Sequence, residues 1–375
     1  MDVRPILTNA DSKRQAIRAN AVAGLTAAFP MQLRDQTIEL QDVRVHEKDY
    51  GPEDMKRALL EGSSLSEQVK GTVVLKNKDG TVAETVRNLN LLHLPFFTGQ
   101  HSFIIDGNEY QVSNQIRMKP GVYARRRANG ELEAAFNLSK GANFRVSMDP
   151  RHGHPFLEYG SSTIPLYPVL RKLGVQHEEI EKSWGADVAK ANSIAFAKKE
   201  DVNLSKLYAK VVHPAKQTHT NIDDKVQAVL EEYKKTRMDP EINKETLGQA
   251  HATVTPQAML DASKKLLSIY KSGNDVDDRD SLAYKTFHGV EDFVKERIQL
   301  HSRAVASKIK LRAASKKTLR EMMPTAPFSG DLKTFLTSST LSAIPTQINP
   351  VEIIDHAVKL TSLGEGGIQS ERAVP

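Results

Sequence analysis

The spacing of apolar residues changes character twice along the chain. Ala10–Ala28 has the composition of a helix, interrupted at Gly24. Thr37–Val45 (TIELQDVRV) alternates apolar and polar, as a half-buried strand does. From residue 71 to about 160 the pattern is a series of hairpins. Thr72–Lys76 and Thr81–Val86 flank Lys78-Asp79-Gly80, and Phe103–Ile105 and Tyr110–Val112 flank Asp106-Gly107-Asn108. Glu131–Phe136 follows Asn129-Gly130, and Phe144–Met148 and Phe156–Tyr159 enclose a turn containing Pro and Gly. Asp-Gly and Asn-Gly favour hairpins because the tightest turns need positive φ.

Beyond residue 165 the period becomes helical. Leu166–Leu173 runs to Gly174, a suitable helix terminator, and Ile222–Lys235, Thr255–Lys271 and Val290–Arg320 follow. Asn192–Thr220 lacks a clear period and reads as loops with short elements. After Pro324 the chain is rich in Pro, Ser and Thr and reaches the Gly-rich Leu363-Gly364-Glu365-Gly366-Gly367. Hairpins first and helices later give an α+β fold.

Composition narrows the chemistry. The 375 residues allow two or three domains, and 39% hydrophobic residues exclude wholesale disorder. With no Cys, disulfide scaffolds, Cys-ligated zinc and thiol catalysis are excluded. No apolar run approaches the ~18–20 residues of a membrane span. The sequence therefore reads as a soluble intracellular protein.

Net charge is +6, but its distribution matters more. Val294–Arg320 carries nine cations (Lys295, Arg297, Arg303, Lys308, Lys310, Arg312, Lys316, Lys317 and Arg320) against one acid, Glu296. Val294, Ile298, Val305 and Ile309 form one helical stripe, leaving a charged face to track phosphates or simply to meet solvent. Arg125, Arg126 and Arg127 precede an Asn-Gly turn, where they either contact a phosphate backbone or block strand pairing at an edge.

Other constellations are weaker. His152-Gly153-His154 lacks the further ligands of a zinc site. Asp277-Asp278-Arg279-Asp280 lacks the Gly and Glu of a calcium loop and reads better as a helix N-terminus. The Gly-rich end is too short for a phosphate loop. The residues alone lead to a multi-domain chain with a possible nucleic-acid surface and no self-contained active site.

Several stretches, in order, resemble the N-terminal part of the β subunit of multisubunit DNA-directed RNA polymerases. Phe103–Glu109 resembles the family's F-I-I-N-G-x-E hairpin, and Gln115 with Pro120–Tyr123 its S-Q-x-x-R-S-P-G-V-F. Phe144–Pro150 and Phe156–Leu173 resemble the segment that follows, and Val276–Leu282 its D-D-x-D-H-L block. The densest match is Phe335–Arg372, where Ser338, Ser339, Leu341, Ser342, Gln347, Asn349, Pro350, His356, Leu363, Gly364, Gly366, Gly367, Glu371 and Arg372 agree without a gap.

The resemblance implies a protrusion domain formed by residues 1–115 and 271–340, an inserted, shortened lobe at 116–270, and a fork region at 341–375. Its fork loop two would include Lys359, Gly364, Gly366, Gly367, Glu371 and Arg372, close to nucleic acid. Arg125–Arg127 and Lys308, Lys310 and Arg312 would be DNA-facing. No catalytic residue and no metal ligand is expected in this chain. The catalytic Mg²⁺ is expected on a partner β′ chain. The other partners implied are a β C-terminal chain, a possible promoter-specificity subunit, the DNA template and RNA, and no membrane.

The ending after Glu371-Arg372 resembles the split β-like subunits of large bacteriophages. That implies a place in the host cytoplasm, a phage-made compartment or the virion. The family's rifamycin pocket maps to Ala343, Thr346, His356 and Thr361. Loss of its amide and carboxylate at Ala343 and Thr346 leads us to expect rifampicin insensitivity. The competing expectation is a β-mimicking protein that binds a host polymerase without supporting synthesis.

Overall fold

The computed structural model describes residues 9–33, 35–149, 153–196, 200–214, 217–273, 276–278, 280–316, 318–345 and 349–368. The chain forms two compact units, one from residues 1–117 and 286–375, the other from residues 118–285. The fold is mixed α+β with largely antiparallel sheets, as the hydrophobic pattern indicates.

The first unit opens with helix α1 (Ala10–Ala28), whose first turn is capped by the Asn9 side chain. Strands β1 (Met31–Gln32) and β2 (Gln36–His46) follow, then helix α2 (Pro52–Glu61), strand β3 (Ser66–Asn77) and strand β4 (Val82–Pro95). They make an antiparallel sheet in the order β1-β2-β3-β4. The alternation expected across Thr37–Val45 breaks at a bulge between Gln41 and Arg44, where Asp42 has φ +49°. Strands β5 (Phe103–Ile105) and β6 (Asn108–Val112) meet through Asp106 and Gly107, both at positive φ, as the Asp-Gly signal requires. Strand β7 (Asn114–Met118) leads to the unit boundary.

The second unit begins with a five-stranded antiparallel sheet, β8 (Gly121–Arg126), β9 (Leu132–Asn137), β10 (Phe144–Asp149), β11 (His154–Tyr159) and β12 (Ser162–Pro165), in reverse spatial order. Phe144 stacks on Phe136 at 4.3 Å and on Tyr159 at 4.8 Å. Helices α3 (Leu166–Lys172), α4 (His177–Trp184), α5 (Ala186–Phe196), α6 (Glu200–Val211), α7 (Ile222–Lys234), α8 (Pro240–Leu247) and α9 (Pro256–Ser272) complete the core. Trp184 is buried, its indole N–H donating to Ser263 Oγ at 2.8 Å. The loops expected over Asn192–Thr220 are corrected here, since α6 spans twelve of those residues. Its pattern misleads because Asn203 is buried while neighbouring Val202 is exposed.

The chain returns to the first unit through β13 (Lys285–His288) and enters the long helix α10 (Val290–Ala313). Val294, Ile298, Val305 and Ile309 are all buried, as their spacing indicates. Helix α10 stops at Ala313 rather than continuing to Arg320. The chain turns so that Leu319 and Met322, on the short helix α11 (Leu319–Met322), are buried. Gly24 of α1 lies against Ile298, where an added Cβ would sit 3.3 Å from the isoleucine, so the interruption noted in the helix pattern permits close helix packing. A buried ion pair, Lys13–Glu291 at 2.8 Å, joins the same two helices.

Helix α12 (Ser329–Ser338), strand β14 (Ser342–Ala343), helix α13 (Pro350–Val358) and strand β15 (Leu360–Thr361) follow. Strand β14 pairs with β6, and β15 lies parallel to β7. Among the described residues no helix is long and apolar enough to cross a membrane.

Candidate functional site

The Gly-rich segment closes on itself. Gly364 N–H donates to Ile368 C=O at 2.9 Å, Gly367 N–H to Gly364 C=O at 3.0 Å, and Ile368 N–H to Ser362 C=O at 2.9 Å. Three side chains fasten this loop to the body of the first unit. Buried Gln115 donates from Nε2 to Leu363 C=O at 2.8 Å. Arg117 donates from Nη2 to Glu365 C=O at 3.1 Å, and Arg297 pairs with the Glu365 carboxylate.

Two of these anchors come from one strand and the third from α10. Gln115 and Arg117 are two apart on β7 and therefore share a face. Gln115 Oε1 accepts from Arg117 Nε at 2.6 Å, which aims the guanidinium. Its two terminal nitrogens grip the Glu296 carboxylate at 3.0 and 2.9 Å, a fork that lysine does not offer. Arg297 lies over the Phe335 ring at 4.4 Å, which fixes its reach to the loop.

The sequence reading assigned the loop glycines to close approach by nucleic acid. The structure also supplies an internal reason for them. A Cβ on Gly364 would lie 3.0 Å from Leu341 and Thr340 Oγ1, and one on Gly367 only 2.6 Å from Gln115 Nε2. A Cβ on Gly366, whose φ is +81°, would collide with the Arg117 guanidinium.

The other proposed positions separate into distinct environments. Lys359 is exposed, and its C=O accepts from Asn114 N–H at 3.0 Å. Ala343 pairs with Gln111 in the β14–β6 ladder, and Thr361 pairs with Gln115 while its Oγ1 accepts from Leu363 N–H at 3.1 Å. His356 is in the last turn of α13, with Nδ1 buried and lacking a hydrogen bond. Thr346, Glu371 and Arg372 lie outside the described residues, as do His152 and Arg279.

On α10, Lys308, Lys310 and Arg312 are exposed and form no ion pair among the described residues. Leu311 is exposed beside them. The arginine run at the end of β8 divides differently. Glu133, fully buried, takes both Arg125 and Arg127, and Arg127 also reaches Glu158 at 2.6 Å and Glu131 at 3.0 Å. Burial disfavours the Arg127 charge, but the hydrogen bonds it donates to Glu158 and Glu133 outweigh it and hold its pKa above the ordinary value. Arg126 remains exposed, without an ion pair among the described residues, on the edge strand of the sheet.

One further expectation is revised by geometry. Asp277 does not open a helix. Its carboxylate accepts from Ala124 N–H at 2.6 Å and pairs with Lys265 at 2.6 Å, sealing the edge of β8. His154 packs edge-on against Phe196 at 5.4 Å. Among the described residues no three His, Asp or Glu side chains converge into a group fit to hold a metal ion.

The loop anchors were missed at the level of sequence. Gln115 was matched to a motif without a role, and Arg117 and Glu296 are 179 residues apart. The usable signal was the i, i+2 polar pair of Gln115 and Arg117 on a short strand.

No protein-family model matches the chain. It is similar to a protein named DNA-directed RNA polymerase subunit beta from Gloeobacter violaceus, 24% identical over 356 residues, covering 89% of this chain and 31% of that one. Proteins of the same name from Pyropia yezoensis (24% over 325 residues) and Cyanidioschyzon merolae (25% over 300 residues) each cover 75% of this chain. The chain spans 27–31% of the length of these relatives.

Proposed function

We propose, from the premise that this chain is homologous to part of the β subunit of DNA-directed RNA polymerase, that it is a β-like subunit of a multisubunit RNA polymerase. The observation that carries this reading is the extent of the similarity, 75–89% of the chain, under one name in every relative described above. Phosphoryl transfer relies on positioning and charge stabilisation, with metal ions carrying much of the latter. In this reading the Mg²⁺ sits on a partner β′ chain, and a β C-terminal chain completes the subunit. The present chain positions nucleic acid.

The fork-loop role of Lys359, Gly364, Gly366, Gly367, Glu371 and Arg372 belongs to the same proposal. It is supported by the resemblance at those positions and by the threefold anchoring of the loop, which would hold a fixed shape against a moving strand. The protrusion, lobe and fork identities, the phage origin and the phosphate contacts of Arg126, Lys308, Lys310 and Arg312 are likewise inferred. Arg125 and Arg127, engaged by carboxylates, would contribute less to such contacts.

Mass spectrometry of the native complex, paired with a transcription assay, tests the reading. Recovery with a β C-terminal chain and β′-like chains, together with RNA synthesis, supports it. Recovery on an intact host polymerase without synthesis overturns it in favour of a β-mimicking protein. Charge reversal at Lys308, Lys310 and Arg312 should weaken the salt dependence of DNA binding, and an unchanged dependence removes those residues from the interface.

A further inference from the structure

The sheet β1–β4 carries an unassigned basic trough on the face turned away from its apolar core. Several register shifts shape it, two of them carrying residues at positive φ. On β2 the register shifts between Gln41 and Arg44, and on β4 it shifts opposite Gly71–Val73, so both neighbours of β3 are distorted at the same level. Those residues are Asp42 at +49° and Asn88 at +54°. Bulges bend their strands and increase local twist, which makes a polar face concave. The resulting trough has a volume of about 610 Å³.

Its charges are unbalanced. Arg44, His46, Lys70, Lys76 and Arg87 line it, against Asp42. Lys76 is neutralised by Glu39 at 2.7 Å. Arg44, Lys70 and Arg87 make no ion pair among the described residues. Arg44 stands directly opposite Lys70 in the β2–β3 ladder. Like charges directly opposite one another destabilise a sheet. A sheet that keeps three such cations together on adjacent strands, about 4.8 Å apart, is arranged for an anion.

The surrounding groups indicate which anion. Gln41, Thr72 and Asn88 add neutral hydrogen-bonding groups, and the lining has no Phe, Tyr or Trp. Without a large aromatic platform the lining favours phosphates over stacked bases. Nor is there an exposed apolar anchor at its centre, which a protein partner would need; Val74 is buried and Val82 is the only other apolar lining residue. We propose that this trough binds the phosphodiester backbone of a nucleic acid, independently of base sequence, through Arg44, Lys70 and Arg87. The argument stands on the sheet alone and does not depend on the polymerase reading.

The test is fluorescence anisotropy of the full chain with labelled single-stranded and duplex oligonucleotides across a salt series. Each phosphate neutralised contributes about 0.7 to the slope of log affinity against log salt for single strands and about 0.9 for duplex. The triple variant Arg44→Gln, Lys70→Gln, Arg87→Gln is expected to lower the slope by roughly 2–3 with at least one of the two forms. The arm that responds identifies the strandedness of the ligand. Because these changes relieve repulsion, the variant should melt no lower than the parent. If the triple variant does not fold, Arg44→Gln alone should lower the slope by about one. An unchanged slope in a folded variant overturns the proposal. So does a trough that captures poly-glutamate while leaving oligonucleotide binding untouched by the substitutions.

Discussion

Arg117 and Glu296 meet as a two-pronged pair, both terminal guanidinium nitrogens on one carboxylate, at 3.0 and 2.9 Å. The same Nη2 holds Glu365 C=O at 3.1 Å, so one side chain couples strand, helix and loop. Arg117→Lys keeps the charge but loses the fork and the aim set by Gln115. We expect about 1–2 kcal/mol of destabilisation. Hydrogen exchange at the Gly364, Gly367 and Ile368 amides should accelerate. Unchanged exchange there would show that the loop holds its shape without Arg117.

Gly366 and Gly62 separate backbone strain from crowding. Both have positive φ, +81° and +70°, but only Gly366 has no room for a Cβ. Gly62→Ala should cost about 1 kcal/mol from conformation alone. Gly366→Ala should cost more and should displace Arg117, which is visible as faster exchange of the loop amides. Equal costs, with the loop undisturbed, would contradict the crowding.

Glu133 is the keystone of the arginine run in the second unit. Glu133→Gln leaves Arg125 and Arg127 without their shared buried counter-charge, and removing one member of a buried pair typically costs about 3 kcal/mol or more. Urea unfolding should report this loss. Non-specific oligonucleotide affinity should rise at the same time, because Arg125 is released while Arg127 keeps Glu158 and Glu131. A fall in affinity would mean that the run does not face available nucleic acid.

His288 makes the first unit sensitive to mild acid. Burial lowers its pKa below the ordinary 6.5, and the nearby Arg117 charge lowers it further, against the opposing pull of Asp292 and Glu296. A depressed imidazole favours the fold while it is neutral. Its contribution is complete above pH 6.5 and is lost as pH falls below that value, where the unfolded chain takes up the proton first. His101, lowered by burial and by Lys13, acts in the same direction. The melting temperature should therefore drop between pH 7 and pH 5.5, and His288→Gln should flatten that drop. An identical slope in the variant would assign the effect elsewhere.

Legibility in the sequence followed the range of the interactions. The Asp106-Gly107 turn was legible because its cause, positive φ, lies within the two residues themselves. The buried stripe of α10 was legible because four apolar positions repeat at helical spacing. Helix α6 was not, since buried Asn203 and exposed Val202 invert the usual order. The glycines of the loop were visible, but not the side chains that require them, because Gln115 and Arg117 arrive from 248 residues away. The arginine run showed its charge without showing the carboxylates that absorb it.

The Lys13–Glu291 pair also sets an order of events during synthesis. Its partners are 278 residues apart, and the helices bearing them, α1 and α10, share one core. The whole of the second unit is translated between them. At roughly 5–20 residues per second, α1 waits on the order of tens of seconds for its packing partner. The second unit, continuous in sequence, can fold during that interval. The first is the last to close, and until α10 emerges the apolar face of Ile17, Ala21 and Leu25 is the surface a chaperone would find.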